Sequence, residues 1–170
     1  METQKPVYIT GKCRWACLLE PNTTYDPVWS IQVQVNDDNR EIIENAFIDY
    51  DDGGKAYSLP INNKDDGWGD FVTIKRKVLR KDGTQKSPPI VRDSQNNPWD
   101  NKLIGNDSVV NVRAMPYRWS HKNTAGIGSD LQAVQVVDLI EFNKGGDVNF
   151  DIVPGGYVSE TSSEEIPFAS

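Results

Sequence analysis

In several stretches of this chain apolar and polar residues alternate with a period of two, the rhythm of half-buried β-strands. From about Tyr8 to Leu19, Gly11, Cys13, Trp15, Cys17 and Leu19 share one parity, while Lys12 and Arg14 take the other. That assigns Trp15 to the core and the two cations to an outer face. Trp29, Ile31, Val33 and Val35 alternate with Ser30, Gln32 and Gln34, which gives a second strand with Trp29 inside. The two prolines of Glu20 to Pro27 mark the connection between them.

Asp38 followed by Glu41 has capping-box spacing ahead of Ile42, Ile43, Ala46 and Phe47, a stripe that predicts one short helix. The acidic stretch Asp49 to Asp70 reads as loop, with a short apolar piece from Tyr57 to Ile61. Phe71 to Leu79 is a strand, turned by Lys81-Asp82-Gly83-Thr84 into a return strand that ends at Pro88 and Pro89. Ser108 to Trp119 and Gly126 to Phe142 are two long strands joined through Ser120 to Ala125, and Leu131 to Phe142 is apolar enough to be central. About five or six mostly antiparallel strands with one short helix predict an all-β fold, a five-stranded Greek-key barrel of the OB type, with a β-sandwich as the alternative. From Gly145 the composition shifts to Gly, Ser, Glu and Thr, so the folded domain is expected to span 1–156 and a disordered acidic tail 157–170.

The distribution of charge is more informative than the composition. The formal net charge is -7, which by itself argues against a polyanionic partner. Yet Phe71 to Lys122 holds eleven basic residues against four acidic, a local balance of +7, whereas Asp26 to Asp70 carries -8. After Lys144 there are five acidic residues and no basic one. A basic middle between acidic flanks is suited to a nucleic-acid face with its own electrostatic competitor. No apolar run approaches the roughly 18 to 20 residues that cross a bilayer, and Met1 to Pro6 lacks the features of a leader, so no membrane partner is expected. Cys13 and Cys17, about 13 Å apart on an extended strand, do not reach each other. With a single histidine, His121, the chain has no thiolate metal set, and no cofactor is expected.

Catalytic constellations are weak. Asp37-Asp38, Asp51-Asp52 and Asp65-Asp66 are paired carboxylates that solvated loops explain, although a magnesium-dependent nuclease would also use such pairs. The twelfth position from Asp49 is Pro60, where a calcium loop needs a bidentate glutamate. Gly126 and Gly128 lack the third glycine and the helix of a phosphate loop. Binding chemistry is better supported, because single strands are held by a basic groove interleaved with aromatic rings. Lys12, Arg14, Lys75, Arg76, Lys77, Arg80, Lys81 and Arg113 are the candidate phosphate contacts, with Arg76 at a rim. Tyr117 and Trp119 share the parity of Arg113 and either stack on bases or cover a second core. Trp68 and Trp99 stand in polar loops, where an exposed ring suggests a ligand, though Trp99 also fits a loop pin.

Gly11-Lys12-Cys13-Arg14-Trp15-Ala16, Trp29-Ser30-Ile31-Gln32-Val33, Ile104-Gly105-Asn106-Asp107-Ser108, and Gly126-Ile127-Gly128 leading into Leu131-Gln132-Ala133-Val134-Gln135-Val136 together resemble the single-stranded-DNA-binding proteins of short-tailed and related phages. The resemblance implies an OB-fold, sequence-tolerant binding of single-stranded DNA without catalysis, often as a homodimer, and partnership with phage or host polymerase, helicase and recombinase. It implies the cytoplasm of an infected bacterium as the location. Glu164-Glu165-Ile166-Pro167-Phe168 is similar to the acidic tip with which bacterial proteins of this kind dock replication enzymes, departing from it by Ala169 and Ser170 after the phenylalanine. Apart from the nuclease, the alternative function is that of a structural β-sandwich protein of a virion.

Overall fold

Nine strands and one short helix are found in the computed structural model, which describes residues 4–24, 26–141 and 153–157. In chain order they are β1 (Val7–Asn22), β2 (Val28–Gln34), α1 (Arg40–Glu44), β3 (Phe47–Asp49), β4 (Lys55–Tyr57), β5 (Ile61–Asn62), β6 (Phe71–Lys77), β7 (Ile90–Arg92), β8 (Val109–His121) and β9 (Thr124–Asp138). A sheet of order β5-β6-β2-β1-β8-β9-β7 closes on itself where β6 also meets β9, in parallel, at Lys75 and Asp130. Strands β6, β2, β1, β8 and β9 thus form a five-stranded Greek-key barrel of the OB type, all-β with one short helix. Its interior is filled from all five, by Ile9, Cys13, Ile31, Val33, Val72, Ile74, Val110, Val112, Leu131 and Val134.

Period-two alternation locates this core well and fails where the backbone leaves the period. In β1 the register against β2 shifts between Arg14 and Cys17, and Trp15 adopts φ 53. A bulge inserts one residue and reverses the facing of the residues beyond it. Trp15, expected in the core, is therefore 59% exposed, while Leu18 turns inward. Trp29 is buried as expected.

Other elements are shorter than the pattern suggests. The helix covers only Arg40–Glu44, with Ile43 buried, Ile42 exposed and Phe47 already in β3. Asn36 and Asn39, rather than Asp38 and Glu41, close its entry, each side-chain oxygen accepting from the other's backbone N–H at 2.8 Å. After β6 the Asp-Gly turn forms, but its return is a single bridge between Leu79 and Gln85 instead of a strand. The acidic loop contains the small β3–β4 sheet, and β7 joins the edge of β9 in parallel. β9 ends at Asp138, and Phe142 lies outside the described residues, as do Glu164, Glu165, Ile166, Pro167 and Phe168. No described helix is long and apolar enough to cross a membrane.

Candidate nucleic-acid interface

β1 pairs with β8 only as far as Ala114, and β6 meets β9 at Asp130, so 116–121 and 124–129 project beyond the barrel as a two-stranded arm turned at Lys122 and Asn123. On one side of the arm, Tyr117 lies opposite Gly128 and Trp119 opposite Gly126. A Cβ at Gly126 would stand 2.5 Å from Trp119 Cζ2, and one at Gly128 would stand 2.7 Å from Tyr117 Cζ. Each ring therefore rests on bare backbone. Its other side faces solvent, with 46% of Tyr117 and 42% of Trp119 exposed. Neither covers a second core.

The arm is braced from its opposite side. Arg118 pairs with Asp49 at 3.0 Å and stacks over Tyr57, its Cζ 4.7 Å from the ring centre. The β3–β4 sheet thus holds the strand whose alternate residues carry the two rings. Glycine seats below and an arginine strut behind position the two rings with one face exposed.

Along β8 the same outer parity runs from Trp119 through Tyr117 and Met115 to Arg113 and Asn111, about 20 Å from Trp119 to Arg113 at strand rise. Arg113 is exposed and stands opposite Tyr8 of β1, itself 53% exposed. Lys12 is exposed on the outer side of β1, Lys75 and Lys77 on that of β6, and Arg80 and Lys81 in the turn after it. Among the described residues Lys12, Lys75, Lys77, Lys81, Arg92 and Arg113 form no ion pair, unlike Arg14, Arg40, Arg76, Lys102 and Arg118. Arg80 donates to Thr84 Oγ1 and the Gln85 carbonyl.

Several candidates are engaged in contacts within the fold. Arg14, expected on the basic outer face, is 7% exposed. Its Nε donates to Gln32 Oε1 and its Nη1 to Asp66 Oδ2, both at 2.8 Å, with its Cζ 4.2 Å from the Trp68 ring centre and 4.7 Å from that of Phe71. The loop before β6 is strapped over the barrel wall by that contact, and Trp68 is half-buried under the same strap rather than presented to a ligand. Arg76 is tied to Asp130 at 2.6 Å across the closure of the barrel. Trp99 packs against the core and donates from Nε1 to the Lys102 carbonyl, a loop pin.

Trp15, Tyr8 and Arg92 are accessible groups that the sequence pattern does not single out. For Trp15 the signal is hidden by the bulge, which shows only in the fold, as a register shift and a positive φ. Tyr8 has the outer parity of Lys12, which is a readable sign. Two of the paired aspartates serve local roles: Asp66 accepts from Arg14 and Asp52 accepts from the Tyr57 hydroxyl, and among the described residues no three of His, Cys, Asp and Glu gather as a metal set. Asp66 is held below the usual carboxylate range, first by that hydrogen bond from Arg14.

No family model and no curated protein matches the sequence. Among solved structures, the chain is similar to gp2.5, a single-stranded DNA binding protein encoded by bacteriophage T7, at 18% identity over 92% of this chain and 100% of that one, with a TM-score of 0.56. It is also similar to the single-stranded DNA-binding protein from bacteriophage Enc34, at 15% identity over 88% of this chain and 93% of that one, with a TM-score of 0.54. The chain thus shares its fold with phage single-stranded-DNA-binding proteins.

Proposed function

We propose that this chain binds single-stranded DNA without sequence preference and coats it during phage replication and recombination in the infected bacterium. The observation that carries the reading is the pair of rings, Tyr117 and Trp119, seated on Gly128 and Gly126 and open to solvent on the strand row that also carries the unpaired Arg113. A base laid on such a ring contributes about 1 to 3 kcal/mol, and only unpaired bases offer a free face. Duplex DNA hides those faces, so single strands are selected by chemistry rather than by base-edge contacts. The fold shared with the T7 and Enc34 proteins supports the same reading. Removing hairpins ahead of a polymerase and assisting annealing follow from coating and require no nucleotide hydrolysis.

The acidic terminal segment extends the proposal. Five negative charges after Lys144 are joined to a body with a +7 middle, so they compete with incoming DNA at high local concentration. Long DNA displaces them, freeing Ile166, Pro167 and Phe168 to enter an apolar pocket on a polymerase, helicase or recombinase, with Glu164 and Glu165 at its basic rim. Self-association as a homodimer belongs to the same proposal.

Fluorescence anisotropy with oligo-dT, duplex of equal length and RNA tests the binding. About 0.7 counterions are released per phosphate neutralised on a single strand, so four to six contacts give a log-log salt slope of about -3 to -4. A flat salt response or equal duplex affinity overturns the reading.

A further inference from the structure

At the end of the β8 outer row away from Trp119, the barrel wall dips into a cleft of about 240 Å³ lined by Tyr8, Arg92, Asn96, Asn111, Arg113 and Gln135. Its geometry comes from register. Tyr8 is opposite Arg113, Arg113 is opposite Ala133, and Gln135 lies between Asn111 on β8 and Arg92 on β7. Neighbouring strands stand about 4.8 Å apart, so the two arginines rise from strands separated by β9, and the small side chain of Ala133 leaves the floor low beside them. No carboxylate lines the cleft. The nearest one along the chain, Asp93, accepts from the backbone N–H groups of Gln95 and Asn97 and so closes its own turn. Gln135 ties that turn to the wall, its Nε2 donating to the Ser94 carbonyl at 3.2 Å.

Two guanidinium groups sharing a cleft without a carboxylate repel each other, and a bound anion relieves that repulsion. The exposed ring of Tyr8 on the same rim adds an aromatic face. We propose that this cleft is a nucleotide subsite in which Arg92 and Arg113 converge on one phosphodiester and Tyr8 stacks on the adjoining base. The inference rests on the single-stranded-DNA reading and extends the strand's path from the ring-bearing arm, along β8, to the β7 edge. A phosphodiester fits better than a free anion because the cleft opens at the end of a row that already carries Arg113, Tyr117 and Trp119.

The test uses the full chain with fluorescent oligo-dT of increasing length, and thermal melts to verify folding of each variant. Tyr8→Ala and Arg92→Gln are each expected to weaken long oligo-dT about tenfold, and Arg92→Gln to flatten the salt slope by about 0.7, the loss of one phosphate contact. The shortest oligonucleotides that bind, held by Tyr117 and Trp119 alone, are expected to be insensitive to both changes. Arg92→Lys keeps the charge, and so is expected to keep the slope. If both variants bind long oligo-dT as tightly as the parent protein with the full slope, the cleft lies off the path although single-strand binding stands. If inorganic phosphate at matched ionic strength abolishes the Arg92 dependence, the cleft is a free-anion site and the subsite is overturned. If the parent protein fails to bind single strands at all, the proposed function fails first.

Discussion

The indole of Trp119 rests on the backbone of Gly126, close enough that an added methyl group would lie 2.5 Å from ring carbon Cζ2. Gly126→Ala must therefore lift or turn the ring. The same holds for Gly128→Ala beneath Tyr117, where the methyl would stand 2.7 Å from Cζ. Each change is expected to lower single-strand affinity about three- to tenfold, part of the 1 to 3 kcal/mol that a stacked base contributes. Folding stability should barely change, since the arm projects beyond the barrel. Anisotropy titrations paired with urea denaturation separate the two effects. A loss of stability without loss of binding would make the rings mere packing.

Arg14 and the β6 lysines should behave as opposites. Arg14→Ala leaves Gln32, Asp66 and the Trp68 ring without their shared partner and is expected to cost about 1 to 3 kcal/mol, less than a fully buried pair because Asp66 keeps contact with water. The salt slope of DNA binding should not move. Lys75→Ala combined with Lys77→Ala should leave the urea midpoint in place and flatten the slope by about 1.4, two phosphates' worth. Acid acts on the same strap: with its folded pKa depressed, Asp66 stabilises the loop above the ordinary aspartate range, and that contribution is lost as pH falls through the depressed value. Tryptophan emission should report the release.

Burial pushes the Cys13 thiol up to about 12 from an ordinary 9.0. With the folded value raised, the neutral thiol's contribution to stability is intact below pH 9.0 and is lost progressively as pH rises toward 12, because the unfolded chain ionises first. Chemical denaturation from pH 8 to 11 should show a steeper decline in the parent protein than in Cys13→Ala. Iodoacetamide at neutral pH should label the half-buried Cys17 and spare Cys13 until the barrel unfolds.

Deleting Ser159 to Ser170 removes three of the five acidic residues that come after Lys144. Single-strand affinity should rise, most at low salt where screening is weakest, and recruitment of replication enzymes should be lost. Phe168→Ala alters no charge, so recruitment should fall while DNA affinity stays. Unchanged affinity at low salt together with intact recruitment would leave the segment without either role.

Period two carries the barrel because each of its five strands has one buried face, so Trp29, Ile31, Val33, Val110 and Val112 announce themselves. Period fails wherever one residue is inserted. The bulge at Trp15 exchanges the roles of Trp15 and Arg14, and nothing in the local residue types marks it, since a tryptophan at φ 53 has no sequence signature. Trp68 misleads for a related reason: its burial depends on Arg14, distant in the chain, rather than on its polar neighbours. Short strands such as β3, β4 and β7 carry too few alternations to be seen. Gly126 and Gly128 look in the sequence like a failed phosphate loop, whereas their partner is the aromatic pair across the hairpin. Tyr117 and Trp119 at spacing two, opposite glycines at the same spacing, form a signal legible only once the strands are aligned.

Closure of the barrel rests on a narrow join. β6 and β9 meet at one backbone pair, Lys75 with Asp130, where Arg76 also grips the Asp130 carboxylate, whereas β8 and β9 pair from Val109 to His121 with two register shifts. Such a join gives way before the rest of the cylinder does. Amide protons flanking Lys75 and Asp130 should exchange with deuterium well before those of Val112 and Val134, through an opening that parts the wall without unfolding the core.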